Sequence, residues 1–139
     1  MGRVRHINAA FCPACAVKLM GVDPRLVAFA QEFRKTALDA HISCGYRGEY
    51  EQNLAFNKKT SLAKWGESPH NYGMALDWFR LTLNGAQFDR PWFMDKLGPA
   101  ASKAGLTWGA TFKKLLDFPH VELPAWELEV AQKGLKPGP

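Results

Sequence analysis

The chain has 139 residues, of which 47% are hydrophobic and 22% charged, with five Trp and nine Phe. That length predicts one domain whose core needs no disulfide staples, and the composition excludes a disordered or fibrous protein. Lys and Arg total 18 against 13 Asp and Glu, a net charge of +5 that favours an anionic partner.

The N-terminal stretch carries Arg3, Arg5 and His6, then Cys12, Pro13, Cys15 and Lys18, which break up any signal-peptide core. No apolar run approaches the ~20 residues of a membrane span, so a cytoplasmic start without membrane insertion is expected. Cys12-Pro-Ala-Cys15 has the spacing of half a zinc knuckle or of a redox pair, and His41 and Cys44 could complete a four-ligand site. The Cys-x-x-Cys half is not repeated, however, and three cysteines make no disulfide framework. Reduced, partly buried thiols are therefore expected.

Asp23-Pro24 reads as a helix start, with Asp as N-cap. Leu26, Ala30, Phe33 and Ala37 recur at helical spacing, to an end near Asp39. His41 to Cys44 reads as a strand stopped by Gly45, and Glu49 to Asn57 as a second helix. Residues 58–72 lack periodicity and read as a loop. Met74 to Leu83 is a buried strand turning at Asn84-Gly85. Pro91 opens a helical stretch with Trp92, Phe93 and Leu97 on one side, interrupted at Gly98-Pro99 and resumed to Lys103. Leu106 to Trp108 and His120 to Leu123 are short strands, and Trp126 to Lys133 a last helix. These elements make a small α+β domain with an antiparallel sheet. The basic residues, among them Arg34, Lys35, Lys58, Lys59, Lys113 and Lys114, are scattered, which reads as a solvated surface rather than a nucleic-acid-binding arm.

Chemistry concentrates in Ser68-Pro-His70-Asn-Tyr-Gly73-Met-Ala-Leu-Asp77. Asp77 lies inside an apolar run, where a carboxylate is costly to bury unless it is paired or bound to a metal. Asp117-Phe-Pro-His120-Val-Glu122 brings more ionisable groups to the edge of another strand. Two imidazoles and a carboxylate form a three-ligand zinc set with an open position, so His70, Asp77 and His120 are the expected ligands, provided that their strands are neighbours. Asp117 could act as general base, and Arg47 could stabilise a developing oxyanion.

At these residues the chain resembles the zinc metallopeptidases of bacterial cell-wall peptides: D-alanyl-D-alanine carboxypeptidases and dipeptidases, and L-alanyl-D-glutamate endopeptidases including phage endolysins. Ser68, His70, Gly73, Ala75 and Asp77 fill that family's Ser-x-His-x-x-Gly-x-Ala-x-Asp pattern, and Asp117 and His120 its acid-x-x-His. Trp108-Gly109 stands where the family often has a Trp-Gly pair, and Gly45-Tyr46-Arg47 with Gln52 looks like its upstream Gly-Tyr-Arg…Gln element. The match runs from about Val22 to Leu123. The resemblance implies one Zn2+ on His70, Asp77 and His120, with Asp117 as base and Arg47 as carbonyl polariser. It makes Ser68, Gln52, Tyr46 and Trp108 substrate-binding or supporting residues, and has Glu122 orient a ligand. It also implies a hedgehog/DD-peptidase-like fold with the zinc on the central antiparallel sheet. Asp117 is one methylene shorter than the Glu of many members, a feature nearer the endolysin branch. Residues 1–21, with the Cys pair, form an extension without a counterpart in the pattern, and residues 22–139 form the catalytic domain, without a separate wall-binding domain.

The expected activity is that of a phage endolysin cleaving the L-alanyl–D-glutamate bond of peptidoglycan, held in the host cytoplasm until a holin opens the way. A D-Ala-D-Ala carboxypeptidase is the close alternative. A metal-dependent nuclease and a non-catalytic zinc module on Cys12, Cys15 and Cys44 are weaker ones. Peptidoglycan is the expected partner, nucleic acid is not, and a monomer is expected.

Overall fold

A computed structural model describes residues 11–113 and 115–138. Arg3, Arg5, His6 and Lys114 lie outside the described residues. Helix α1 (Pro13–Lys18) is followed by α2 (Pro24–Thr36), strand β1 (Ala40–Cys44) and α3 (Glu49–Asn57). Strand β2 (Ala75–Thr82) turns into β3 (Gly85–Gln87), and the helical stretch from Arg90 to Lys103 comprises α4 (Arg90–Trp92), a π turn and α5 (Gly98–Lys103). Strands β4 (Thr107–Trp108) and β5 (His120–Glu122) and helix α6 (Trp126–Lys133) complete the chain. The antiparallel sheet runs β1-β2-β5-β4, with β3 also paired to β2. No helix among the described residues is long and apolar enough to cross a membrane.

Helix α2 starts as its sequence requires: the Asp23 side chain accepts the Arg25 N–H, and Pro24 occupies the first turn. It stops at Thr36, short of Asp39, because Ala37 leaves helical geometry (φ −136°, ψ 81°) to lead into β1. The helix presents Leu26, Phe29, Ala30 and Phe33 to the sheet. Phe29 and Phe33 both meet Trp78 of β2 edge-on, with ring centroids 6.2 and 5.0 Å away. Trp92, Phe93, Leu97 and Ala101 join the same core.

Two expectations about helices fail for physical reasons. The interruption at Gly98-Pro99 does not occur. Pro99 lacks the N–H that would bond the carbonyl four residues back, and the preceding turn widens to π geometry over Phe93–Leu97, so the helix passes through. The extension also contains α1, which sequence reading left without structure. Its six residues have no side-chain cap, but Pro13 starts the helix and Cys15 is buried in the core.

The alternation of β2 decides what faces what. Leu76 and Trp78 are fully buried in the core, so Asp77 projects from the other face of the sheet. Asp77 is paired directly with His120 of β5, and a bulge in β1 between Ile42 and Cys44 brings Cys44 opposite Asp77 on the other side. Phe33→Ala removes the ring closest to Trp78 and should cost about 3–5 kcal/mol. Urea unfolding should show a lower midpoint at unchanged slope; an unaltered midpoint would mean that this contact does not hold α2 to the sheet.

Candidate active site

His70 sits in a single 3-10 turn, Pro69–Tyr72, built by its neighbours. Ser68 caps the turn by accepting the His70 N–H at 3.2 Å, and Asn71 completes a capping box. Gly73 ends the turn at φ +69°, where a Cβ would lie 2.1 Å from the Gly21 carbonyl oxygen, so only glycine fits. The chain then enters β2, and His70 stands over Asp77.

The two imidazoles share one carboxylate. His120 Nδ1 lies 2.9 Å from Asp77 Oδ1, and His70 Nε2 lies 3.3 Å from Asp77 Oδ2. The rings meet edge-on with centroids 5.1 Å apart. Each ring's other nitrogen is committed elsewhere: His70 Nδ1–H donates to the Gly45 carbonyl at 2.8 Å, and His120 Nε2–H donates to Glu122 at 2.7 Å. Among the described residues, that leaves His70 Nε2 buried without a hydrogen-bond partner, despite its approach to Asp77. A buried imidazole nitrogen without a hydrogen-bond partner, beside a carboxylate and a second oriented imidazole, fits a zinc ion.

Around this floor stand the remaining groups. Asp117 Oδ2 lies 3.9 Å from His120 Nδ1, and Arg47 Nη2 lies 3.8 Å from Asp77 Oδ2. Arg47 Nη1–H donates to Gln52 Oε1, while Gln52 Nε2–H donates to Ser61 Oγ and to the Ala63 carbonyl. Gln52 is fully buried, so it positions Arg47 and the loop over the cleft rather than touching anything inside it. Asn71, which sequence reading passed over, donates to Gln52 Oε1 and to the Arg47 carbonyl. The only trace of that role in the sequence was its place inside the motif.

The cleft has a volume of about 640 Å³, and its walls include Ser61, Leu62, Phe112 and Leu115. Ser68, His70, Asp77, Asp117, His120, Glu122 and Arg47 all face it. Tyr46 and Trp108 are not among the lining residues: the Tyr46 side chain packs beside Gly21, and Trp108 Nε1–H holds the Phe118 carbonyl at 2.8 Å. Trp108 therefore braces the turn between Asp117 and His120. Its neighbour Gly109 explains the pair, because a Cβ there would lie 2.2 Å from the Asp117 carbonyl oxygen. Cys44 stands against His70 (Sγ to Nδ1 3.6 Å), whereas His41 stands against Cys12 and Cys15. A module uniting Cys12, Cys15 and Cys44 is thus corrected: the bulge in β1 turns Cys44 toward Asp77.

Electrostatics follow from the shared carboxylate. Burial opposes charge on His70, yet Asp77 outweighs it and pushes the ring up to about 10. Burial opposes charge on His120 as well, and its bonds to Asp77 and Glu122 push it up to about 9. Burial would raise Asp77, but His70 and His120 hold its carboxyl far below the ordinary range. Asp117 is pushed up by burial and then by the charge of Asp77.

The Asp77 carboxylate thus raises the proton affinity of both imidazoles in the metal-free protein, and an incoming cation competes with protons for them. Zinc affinity should therefore rise with pH from about 6 to about 8, with protons released on binding. Chelator competition across that span checks this, and a flat affinity would contradict it.

Residues 62–123 match a family model described as D-alanyl-D-alanine carboxypeptidase. Over 105 residues the chain is 30% identical to the peptidoglycan L-alanyl-D-glutamate endopeptidase CwlK of Bacillus subtilis, an alignment covering 62% of this chain and 61% of that relative. The chain thus spans about three fifths of the relative's length. In fold it is similar to the L-Ala D-Glu endopeptidase ChiX of Serratia marcescens, with a TM-score of 0.70 and 23% identity over 85% of this chain and 92% of that one. It is also similar to a point variant of the vancomycin-resistance D,D-pentapeptidase VanY, solved with Zn(II), with a TM-score of 0.56 and 15% identity over 83% and 80% of the two chains. The match to the D-alanyl-D-alanine carboxypeptidase model thus falls on the segment that carries His70, Asp77, Asp117 and His120, and the fold is the one seen in ChiX and VanY.

Proposed function

We propose that this chain is a zinc peptidase of an endolysin type, hydrolysing the L-alanyl–D-glutamate bond of peptidoglycan stem peptides. The observation that carries the reading is the Asp77 carboxylate shared by His70 and His120 on the floor of a cleft, with Asp117 and Arg47 beside it. Likeness to CwlK and ChiX, both L-alanyl-D-glutamate endopeptidases, favours that bond. The +5 net charge suits an anionic cell envelope.

In this reading His70 Nε2, the Asp77 carboxylate and His120 Nδ1 hold the ion. When bound, zinc supplies a Lewis acid that acidifies water and polarises a carbonyl. Asp117 takes the proton of the attacking water and passes it to the leaving amine nitrogen. Burial and the charge of Asp77 raise its proton affinity, which suits a group that must accept a proton and then release it. Arg47, held by Gln52, donates to the oxyanion that develops on the scissile carbonyl. Gly45 and Glu122 keep the two rings in the tautomers that ligation requires.

A D-alanyl-D-alanine carboxypeptidase is the second reading, favoured by the description of the matching family model and by the likeness to VanY. Digestion of purified sacculi separates the two. The expected products carry new N-terminal D-glutamate amines, and a chelator abolishes their release. Free D-alanine without new D-glutamate amines would move the assignment to the carboxypeptidase, and no wall product would end both readings. Asp117→Asn should retain zinc while turnover falls by roughly 100-fold or more; near-normal turnover would remove Asp117 from the mechanism.

A further inference from the structure

Away from the cleft, the structure gathers a second set of metal-binding side chains. Cys12 and Cys15 flank the start of α1, and His41 lies on β1, the edge strand of the sheet. His41 Nδ1 lies 3.2 Å from Cys15 Sγ and 3.8 Å from Cys12 Sγ, and the three atoms all lie within 4.8 Å of one another. A tetrahedral zinc ion, with bonds of about 2.3 Å to sulfur and about 2.0 Å to nitrogen, holds its ligand atoms roughly 3.5–3.8 Å apart. The spacing found here needs only small adjustments to match.

We propose that Cys12, Cys15 and His41 form a zinc site of three protein ligands, its fourth position left to water, that is separate from the cleft and fastens α1 to the edge of the sheet. Cys15 and His41 are buried, and the Ile42 N–H donates to Cys15 Sγ at 3.4 Å, the type of backbone bond that steadies a metal-bound thiolate. Arg34 is buried alongside, with Nη1 2.6 Å from the Ala40 carbonyl oxygen and 3.4 Å from His41 Nε2. Ligation through Nδ1 puts the ring proton on Nε2, so the guanidinium keeps its bond to Ala40 and gives up its approach to the ring. Burial pushes the Cys15 thiol up to about 11, with the Arg34 charge acting in the opposite sense, so a bound cation would have to displace that proton. The cysteines are free thiols, so nothing has to be reduced before an ion enters. Two protons leave as the two sulfur–metal bonds form, with no change of oxidation state.

The test uses the full chain loaded with cobalt(II) in place of zinc. A thiolate-to-cobalt absorption band in the near ultraviolet is expected, and Cys12→Ser should abolish it. Cys44→Ser and Asp77→Asn should retain it, because both residues stand on the cleft side of the sheet, with Cys44 against His70 and the Gly45 carbonyl and away from Cys12 and Cys15. Loss of the band in Cys44→Ser but not in Cys12→Ser would overturn the proposal, as would its absence from the wild-type chain. Should Cys12→Ser fail to fold, alkylation of the wild-type chain with and without zinc decides the matter. Zinc should protect Cys12 and Cys15 from the reagent, and equal labelling would overturn the site. A Cys12–Cys15 disulfide in the freshly purified chain, seen as a mass lower by two hydrogens, would assign the pair to redox chemistry instead. Peptidase activity enters none of these readouts, so the outcome is independent of the proposed function.

Discussion

Asp77 follows the fully buried Leu76 and precedes the fully buried Trp78, so its carboxylate must find all its compensation on one face of β2. The sheet supplies it by register. Antiparallel pairing sets His120 directly across from Asp77, and the 3-10 turn before β2 brings His70 over the second oxygen. A slip of one residue between β2 and β5 would turn His120 into the core and Val121 toward the cleft, which neither side chain could tolerate. The same hydrophobic pattern that fastens the sheet to α2 therefore also fixes the spacing of the ionisable groups.

Orientation is fixed one layer further out, by groups that never enter the cleft. The Gly45 carbonyl and the Glu122 carboxylate each take one ring N–H, which decides which nitrogen of His70 and of His120 faces Asp77. Asn71 and Gln52, both fully buried, tie Arg47 to the turn that carries His70. Arg47 and His70 are far apart in sequence, yet the Arg47 N–H donates directly to the His70 carbonyl at 3.0 Å. Trp108 and Gly109 do the equivalent work at the other side, one holding the Phe118 carbonyl and the other leaving room for Asp117. Preorganisation of this kind keeps donors and acceptors aimed before any substrate arrives.

Much of this was legible in the sequence because it is written in local patterns. The Asp23-Pro24 start, the helical spacing from Leu26 to Phe33 and the Asn84-Gly85 turn each depend on neighbours along the chain, and the structure contains each of them. The meeting of Asp77 with His120 could be stated in advance only as a condition on strand pairing, since register is a property of two segments at once. The bulge in β1 is of the same kind: nothing local to residues 40–44 says that Cys44 turns toward Asp77 while His41 turns toward Cys15. Helix α1 was missed because six residues without a side-chain cap carry little periodicity, and its stability comes from packing. The Gly98-Pro99 break was overcalled because a π turn can absorb a proline that an unbroken α-helix cannot.

The cleft divides its work between two kinds of backbone. His120 and Asp77 stand on paired strands, and His70 stands in a capped turn, so these groups inherit the rigidity of the sheet. The walls come instead from chain outside the sheet and the long helices, with Leu62 and Leu115 substantially exposed on them. Exposed apolar side chains on connecting segments are poor contributors to stability but well suited to meeting a ligand. Changes there can alter what the cleft admits without disturbing the spacing of the groups beneath.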